Sequence, residues 1–413
     1  MRALLFLALL LGTGACRPSS TSTVDNTPDA RESPQASAQP APLAIQPTTT
    51  QSAQPTTAEK ALPPPLRGDE QIGADSLSKE PVGYTLSASF RQAEVIGPAR
   101  APEVNAMGLE AARKATELRL AIELIPTRMR VALAGHGFVL PPDTEIRARS
   151  DRFGHVVLWP GGVTYRPLAP GSLRALFGER RFDVAPITPA EIVTRDEAGK
   201  RIGIKTRKVE VTTRAARASF EVGKLDGAGE GGILLCRLLL DLMNAPPATP
   251  VCTTDEVPVR AELRWVSHGS LVFELTGVLR RTDVPVSTLL VPPPSATFAA
   301  LPMPVSGVEQ LLGPSELAAF RTNPVDVPPA AGVNGDDLVI VNPSVQLRML
   351  FVDGVPIAWA APGARDVVKG LHRGRYVAQW RSFLGESVEP AITLPVPGVA
   401  QVGQVAAADA GAR

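Results

Sequence analysis

The sequence predicts a mainly β body with few short helices, followed by a small C-terminal β-sandwich; an α+β arrangement is the alternative. Three observations carry that expectation. Short runs alternate apolar and polar residues with a period of two, as half-buried strands do. Turn pairs such as Gly161-Gly162, His268-Gly269 and Asp353-Gly354 sit between such runs, where hairpins reverse. Helical periodicity is confined to a few stretches.

The 413-residue chain opens with MRALLFLALLLGTGAC. A positive start at Arg2, a short apolar run and small residues before Cys16 make the layout of an export signal, expected over residues 1–15. The run is well below the ~20 apolar residues that a membrane-spanning helix needs. Thr13-Gly14-Ala15-Cys16 resembles a bacterial lipobox, with Thr13 where a Leu-like residue is usual. The resemblance implies a lipid on Cys16, hence attachment to a membrane of the cell envelope, on the periplasmic or surface side of the outer membrane. The other two cysteines, Cys236 and Cys252, can then pair in an oxidising compartment. A loop of that size closed by a disulfide is worth about 3 kcal/mol. The alternative is two buried free thiols.

Residues 16–66 are dominated by Ser, Thr, Pro, Ala and Gln and hold no aromatic residue. Such a segment buries too little apolar surface to offset the entropy of ordering it, so a disordered tether is expected. A β-rich central domain over 67–335 comes next. Leu118, Leu120, Ile122 and Leu124 alternate, Pro126 interrupts, and MRVAL resumes the pattern. HVVLW and VTYRPL flank Gly161-Gly162; IGIKTRKVEVTT pairs with ARASFEV, and VRAELRWV with SLVFELTGVLRR. Helices are expected near residues 103–115, in SLRALFG, in GGILLCRLLLDLM and in SELAAF, the last with Ser315 as its cap. GGILLCRLLLDLM is apolar nearly all round and so is expected to be buried.

The Pro-, Gly- and Asn-rich residues 323–337 mark a domain boundary. A β-sandwich over 336–400 and a disordered tail over 401–413 complete the chain. In the sandwich, LVIVNPS, VQLRMLFVDGVPIAWAAPG and GLHRGRYVAQW read as strands joined by tight turns. Asn342-Pro343-Ser344, the turn at Val352-Asp353-Gly354, Pro362-Gly363, and Gly370 with Gly374 carry a resemblance to PEGA-type domains, small β-modules of bacterial surface and envelope proteins. The likeness is one of layout, since the Pro-Glu-Gly-Ala signature is absent. It implies an accessory, binding or spacing role and transfers no catalytic residue. The whole chain resembles envelope lipoproteins of myxobacterial type.

Lys plus Arg is 42 and Asp plus Glu is 41, so no global charge drives the chain toward nucleic acid. Lys200, Arg201, Lys205, Arg207 and Lys208 concentrate in one hairpin with Glu210 alone against them, a candidate strip for an anionic envelope polymer; a solvated sheet face is the alternative. Trp359, Tyr376 and Trp380 are a candidate aromatic platform for sugar rings, or else the core of the sandwich. Gly227, Gly229 and Gly232 match G-x-G-x-x-G ahead of a helix, with Asp255 and Glu256 downstream as a ribose contact would be. The exported setting and the absence of repeated βαβ units favour a loop that simply caps a buried helix. His136, His155, His268 and His372 show no metal-ligand spacing. No metal, cofactor or catalytic residue is therefore assigned. The expected function is non-catalytic: binding or organising an envelope protein or cell-wall polymer. The alternatives are an envelope hydrolase with its site in the central domain, and a ligand sensor with an interdomain pocket.

Overall fold

The computed structural model describes residues 82–92, 104–134, 140–141, 143–151, 154–161, 164–176, 186–267, 269–291, 297–298, 306–322 and 337–404. The expected signal, Cys16 and the tether lie outside them, as do His136, His268 and nearly all of the boundary segment. Among the described residues the chain is mainly β.

Period-two alternation gives β1 (Gly83–Gln92), whose Tyr84, Leu86, Ala88 and Phe90 are buried. After α1 (Ala106–Ala115) come β2 (Leu118–Ile125), β3 (Arg128–Leu133), β4 (Glu145–Arg149), β5 (His155–Leu158) and β6 (Thr164–Leu168). A single turn, α2 (Leu173–Leu176), precedes β7 (Glu191–Arg201), β8 (Ile204–Thr212) and β9 (Ala216–Lys224). Then follow α3 (Gly231–Asp241), β10 (Glu256–Trp265), β11 (Ser270–Arg281) and the two-residue β12 (Thr297–Phe298).

These strands form one twelve-stranded sheet, in the order β12-β6-β5-β4-β3-β2-β1-β11-β10-β9-β8-β7. Two antiparallel meanders, β2 to β6 and β7 to β11, meet at β1, which pairs antiparallel with both β2 and β11. Only β12 joins in parallel, beside β6. The apolar stripe of α3 lies on this sheet: Leu235, Leu238 and Leu239 share a core with Phe90, Ile122, Val131, Phe220, Leu263 and Phe273. Burying each of these leucines stabilises the fold by roughly 1.5–3 kcal/mol. The disulfide Cys236–Cys252 ties α3 to the segment entering β10, across a Cα separation of 6.2 Å.

The C-terminal part holds β13 (Val308–Gln310), α4 (Pro314–Ala319), β14 (Leu338–Val341), β15 (Arg348–Val352), β16 (Val355–Ala360), β17 (Arg365–Val368), β18 (Gly374–Arg381), β19 (Ile392–Val396) and β20 (Gly398–Gln401). A five-stranded sheet, β13-β16-β15-β18-β19, and a three-stranded sheet, β17-β14-β20, contribute residues to one apolar cluster. Asp353 and Gly354 both have positive φ, 49° and 80°, as the two central residues of the tightest hairpin turns require. Asn342 is fully buried; its amide donates to Gln346 O and Ala360 O, each at 2.8 Å, and its Oδ1 accepts from Ser344 N. That network is the physical role of Asn342-Pro343-Ser344.

Two expectations are corrected. The sandwich does not begin at 336: β13 pairs with β16, and Leu312, Leu317 and Phe320 fill its core together with Val104. Those residues lie ahead of the expected boundary, and packing recruits them because they are apolar and bury against the same cluster. Nor is Ser315 the cap of its helix. The cap is Gly313, two residues earlier, with Pro314 in the first turn, where its missing N–H is harmless, and Glu316 accepting from Gly313 N at 2.7 Å.

Candidate functional site

Alternation on β8, β9 and β10 sends Val209, Val211, Phe220, Val222, Ala261 and Leu263 into the core and charged residues to the other face. Register aligns those charges in rows. Lys208 stands beside Glu221 and Glu221 beside Arg260; Glu210 beside Ser219 and Ser219 beside Glu262; Thr212 beside Arg217 and Arg217 beside Arg264. The concavity over these strands encloses about 760 Å³. Glu262 takes Arg260 at 2.8 Å and Arg264 at 2.6 Å. Glu210 takes Lys208 at 3.0 Å and Arg195 at 3.2 Å. Burial alone would raise the Glu262 pKa, but hydrogen bonds from Arg260 and Arg264 bring it below the usual range.

The cationic strip is corrected by this arrangement. Arg201 bonds Glu221 in two places and lies 3.3 Å from Glu274; Arg207 makes a paired contact with Glu256, at 2.8 and 2.6 Å. Burial raises the Glu256 pKa, yet Arg207 and Thr253 outweigh it and hold the carboxyl at about 2. Lys208 is paired with Glu210. Lys200 and Lys205 alone of the five have no ion pair among the described residues; they face each other across the hairpin end, beside the exposed Ile202. Apart from Glu210, the glutamates arrive from β9, β10 and β11, so the sequence of one hairpin could not show them.

The aromatic platform is also corrected. Trp359 is 0% exposed, Tyr376 and Trp380 1% each. Trp359 belongs to the core under the large sheet, stacked on Phe383 with ring centroids 6.1 Å apart, whereas Tyr376 and Trp380 belong to the sandwich core. They serve packing and offer no surface to a sugar.

The glycine loop is closed to phosphate. Asp255 Oδ1 accepts from Gly227 N at 3.1 Å and Gly229 N at 2.7 Å, occupying the amides a pyrophosphate would need. Two of its glycines answer to close packing: a Cβ on Gly229 would sit 2.6 Å from Pro126 Cα, and one on Gly232 2.0 Å from Glu256 O. Asp255, which the motif would set on a ribose, is the staple of the loop.

His155 Nε2 donates to Leu234 O at 3.1 Å; burial and the neighbouring Arg237 push its pKa down to about 4, so the ring is neutral near pH 7. Where the sandwich meets the large sheet, a groove of about 350 Å³ has Glu386 accepting from Arg174 at 2.7 Å and Ser267 at 2.7 Å. Among the described residues no three of His, Cys, Asp and Glu converge on a metal position.

No family model matches the chain, and no curated protein matches it. Among solved structures, it is similar to "Structure of PNGF-II in C2 space group", at 10% identity and TM-score 0.31, over 66% of this chain and 42% of that one. "Structure of PNGF-II in P21 space group" follows at 10% identity and TM-score 0.29, over 66% and 43%. The chain spans less than half the length of either. At these values the likeness assigns neither fold nor function.

Proposed function

We propose that the chain is an exported protein, lipid-anchored at Cys16, that binds or organises another component of the cell envelope without transforming it. The component is a protein, and the face formed by β8, β9 and β10 receives it. What carries the reading is the pairing with glutamates of Arg201 and Arg207 across strands and of Lys208, Arg260 and Arg264 along their own strands. Paired charges give little long-range attraction to a polyanion, but they present fixed donors and acceptors that a patterned protein surface can match. The same pairing disfavours nucleic acid.

The reading has a direct test. Full-length protein is captured from the native envelope in mild detergent, beside a variant carrying Arg260→Glu with Glu262→Arg, which keeps a pair but inverts its pattern. The proposal expects a specific protein with the wild type and its loss with the exchange; equal recovery by both would sink it. Removing the sandwich is unsuitable as a control, because Met349, Phe351 and Trp359 are part of the large-sheet core. The anchor is tested separately: Cys16→Ser moves the protein to the soluble fraction if Cys16 carries the lipid.

A further inference from the structure

We propose that a cleft beside α3, sharing no residue with the charged face, binds a small organic carboxylate with an apolar body, held by Arg237. The cleft encloses about 580 Å³, bounded by α3, the end of β4, the start of β5 and the turn before α2. Small-molecule sites are typically about 300–1,000 Å³. Pro167, Leu168, Leu234 and Leu238 make its walls apolar.

Among the described residues its ionisable side chains are engaged, with one exception. Arg149 donates to both oxygens of Asp151, at 2.9 and 2.8 Å. Asp241 accepts the amide hydrogens of Gly171 and, at 2.8 Å, of Leu173. His155 donates to Leu234 O. Arg237 makes no hydrogen bond or ion pair among the described residues, and its Nε is buried without a partner.

A partly buried guanidinium left unpaired is costly, and a bound anion removes that cost. Its planar fork of donors matches the two oxygens of a carboxylate. The neutral His155 adds no competing positive charge. Asp241 lines the same cleft and is held by backbone amides with no cation paired to it among the described residues, so a second negative charge on the ligand is repelled. Those two facts together select a monoanionic carboxylate over a phosphate dianion. The apolar walls select one with a hydrocarbon body over acetate.

The test uses the full chain and four probes at millimolar concentration: octanoate, acetate, octylamine and inorganic phosphate. Octanoate is expected to raise Tm and to titrate by calorimetry, while the other three leave Tm unchanged. Arg237→Met is expected to weaken octanoate binding about tenfold or more, the loss of charge-assisted hydrogen bonds. Without ligand that variant is expected to keep or raise the wild-type Tm, since it removes an unpaired charge. Absence of any octanoate effect overturns the proposal, as does equal binding by the variant or equal response to octylamine. A variant that fails to fold also counts against it, because Arg237 would then have a structural partner.

Discussion

Trp359 and Trp380 lie on opposite faces of the five-stranded sheet. Met349 stands opposite Trp359 and Leu350 opposite Trp380, so one residue of register on β15 separates the two rings. Trp380 closes the sandwich from within, and Trp359 fastens the sandwich to the large sheet. The C-terminal module is therefore joined to the body through a continuous apolar core.

Both tryptophans are expected to matter to one unfolding event. Truncating either to Ala should destabilise by about 3–5 kcal/mol, the usual range for a large buried aromatic. Urea unfolding followed by fluorescence and by circular dichroism should give coincident transitions. Two separated transitions would show that the sandwich unfolds on its own.

The Arg207–Glu256 pair predicts an acid dependence. The folded-state pKa of Glu256, about 2, lies below its ordinary value, so ionised Glu256 stabilises the fold. That contribution is complete above about pH 4.5 and fades as pH falls toward about 2. With allowance for screening by solvent, Glu256→Gln should cost about 1–2 kcal/mol at pH 7. The gap between variant and wild type should narrow steadily on acidification, as measured by thermal unfolding across that range.

The glycine loop predicts a contrast between two alanine substitutions. At Gly232 a Cβ meets the Glu256 carbonyl oxygen, and the variant should lose several kcal/mol or fail to accumulate. At Gly227, where φ is +88° and nothing lies within 4 Å, the cost should be only the left-handed strain, about 1–2 kcal/mol. ADP should stabilise neither the wild type nor Gly227→Ala. Stabilisation by ADP would mean that Asp255 yields the loop amides to phosphate.

Neutralising glutamates on the charged face should unmask its arginines. Glu221→Gln combined with Glu262→Gln is expected to be retained on an anionic matrix at salt concentrations where the wild type elutes. Equal elution would mean that the pairing does not limit the attraction.

Much of this fold was legible in the alternation itself, because a strand with one buried face must repeat every second residue. The hairpins β5–β6, β8–β9 and β15–β16 and the buried α3 follow the expectation. β1 carried the same signal in Tyr84, Leu86, Ala88 and Phe90, yet it was not among the strands expected. β7 carried none: Val193 is 53% exposed, and an edge strand paired only to β8 needs no apolar face. The candidate sites were the least legible part. The partners of Arg201 and Arg207 lie on strands distant in sequence, and that register is set by long-range pairing. The same holds for Trp359, whose face depends on β15. Arg260, Glu262 and Arg264 alternate in sign within RAELRW, a row that a reading confined to the cations of one hairpin passes over.

The central claim, that the face over β8, β9 and β10 meets a protein in the envelope, is tested most directly by photo-crosslinking in intact cells. A photoreactive residue replaces Ser219, which sits between Glu210 and Glu262, and in a control strain it replaces the exposed Val266. The account predicts one discrete crosslinked protein from position 219 and none from 266. The absence of a crosslink at 219, or the same band from both positions, would contradict it.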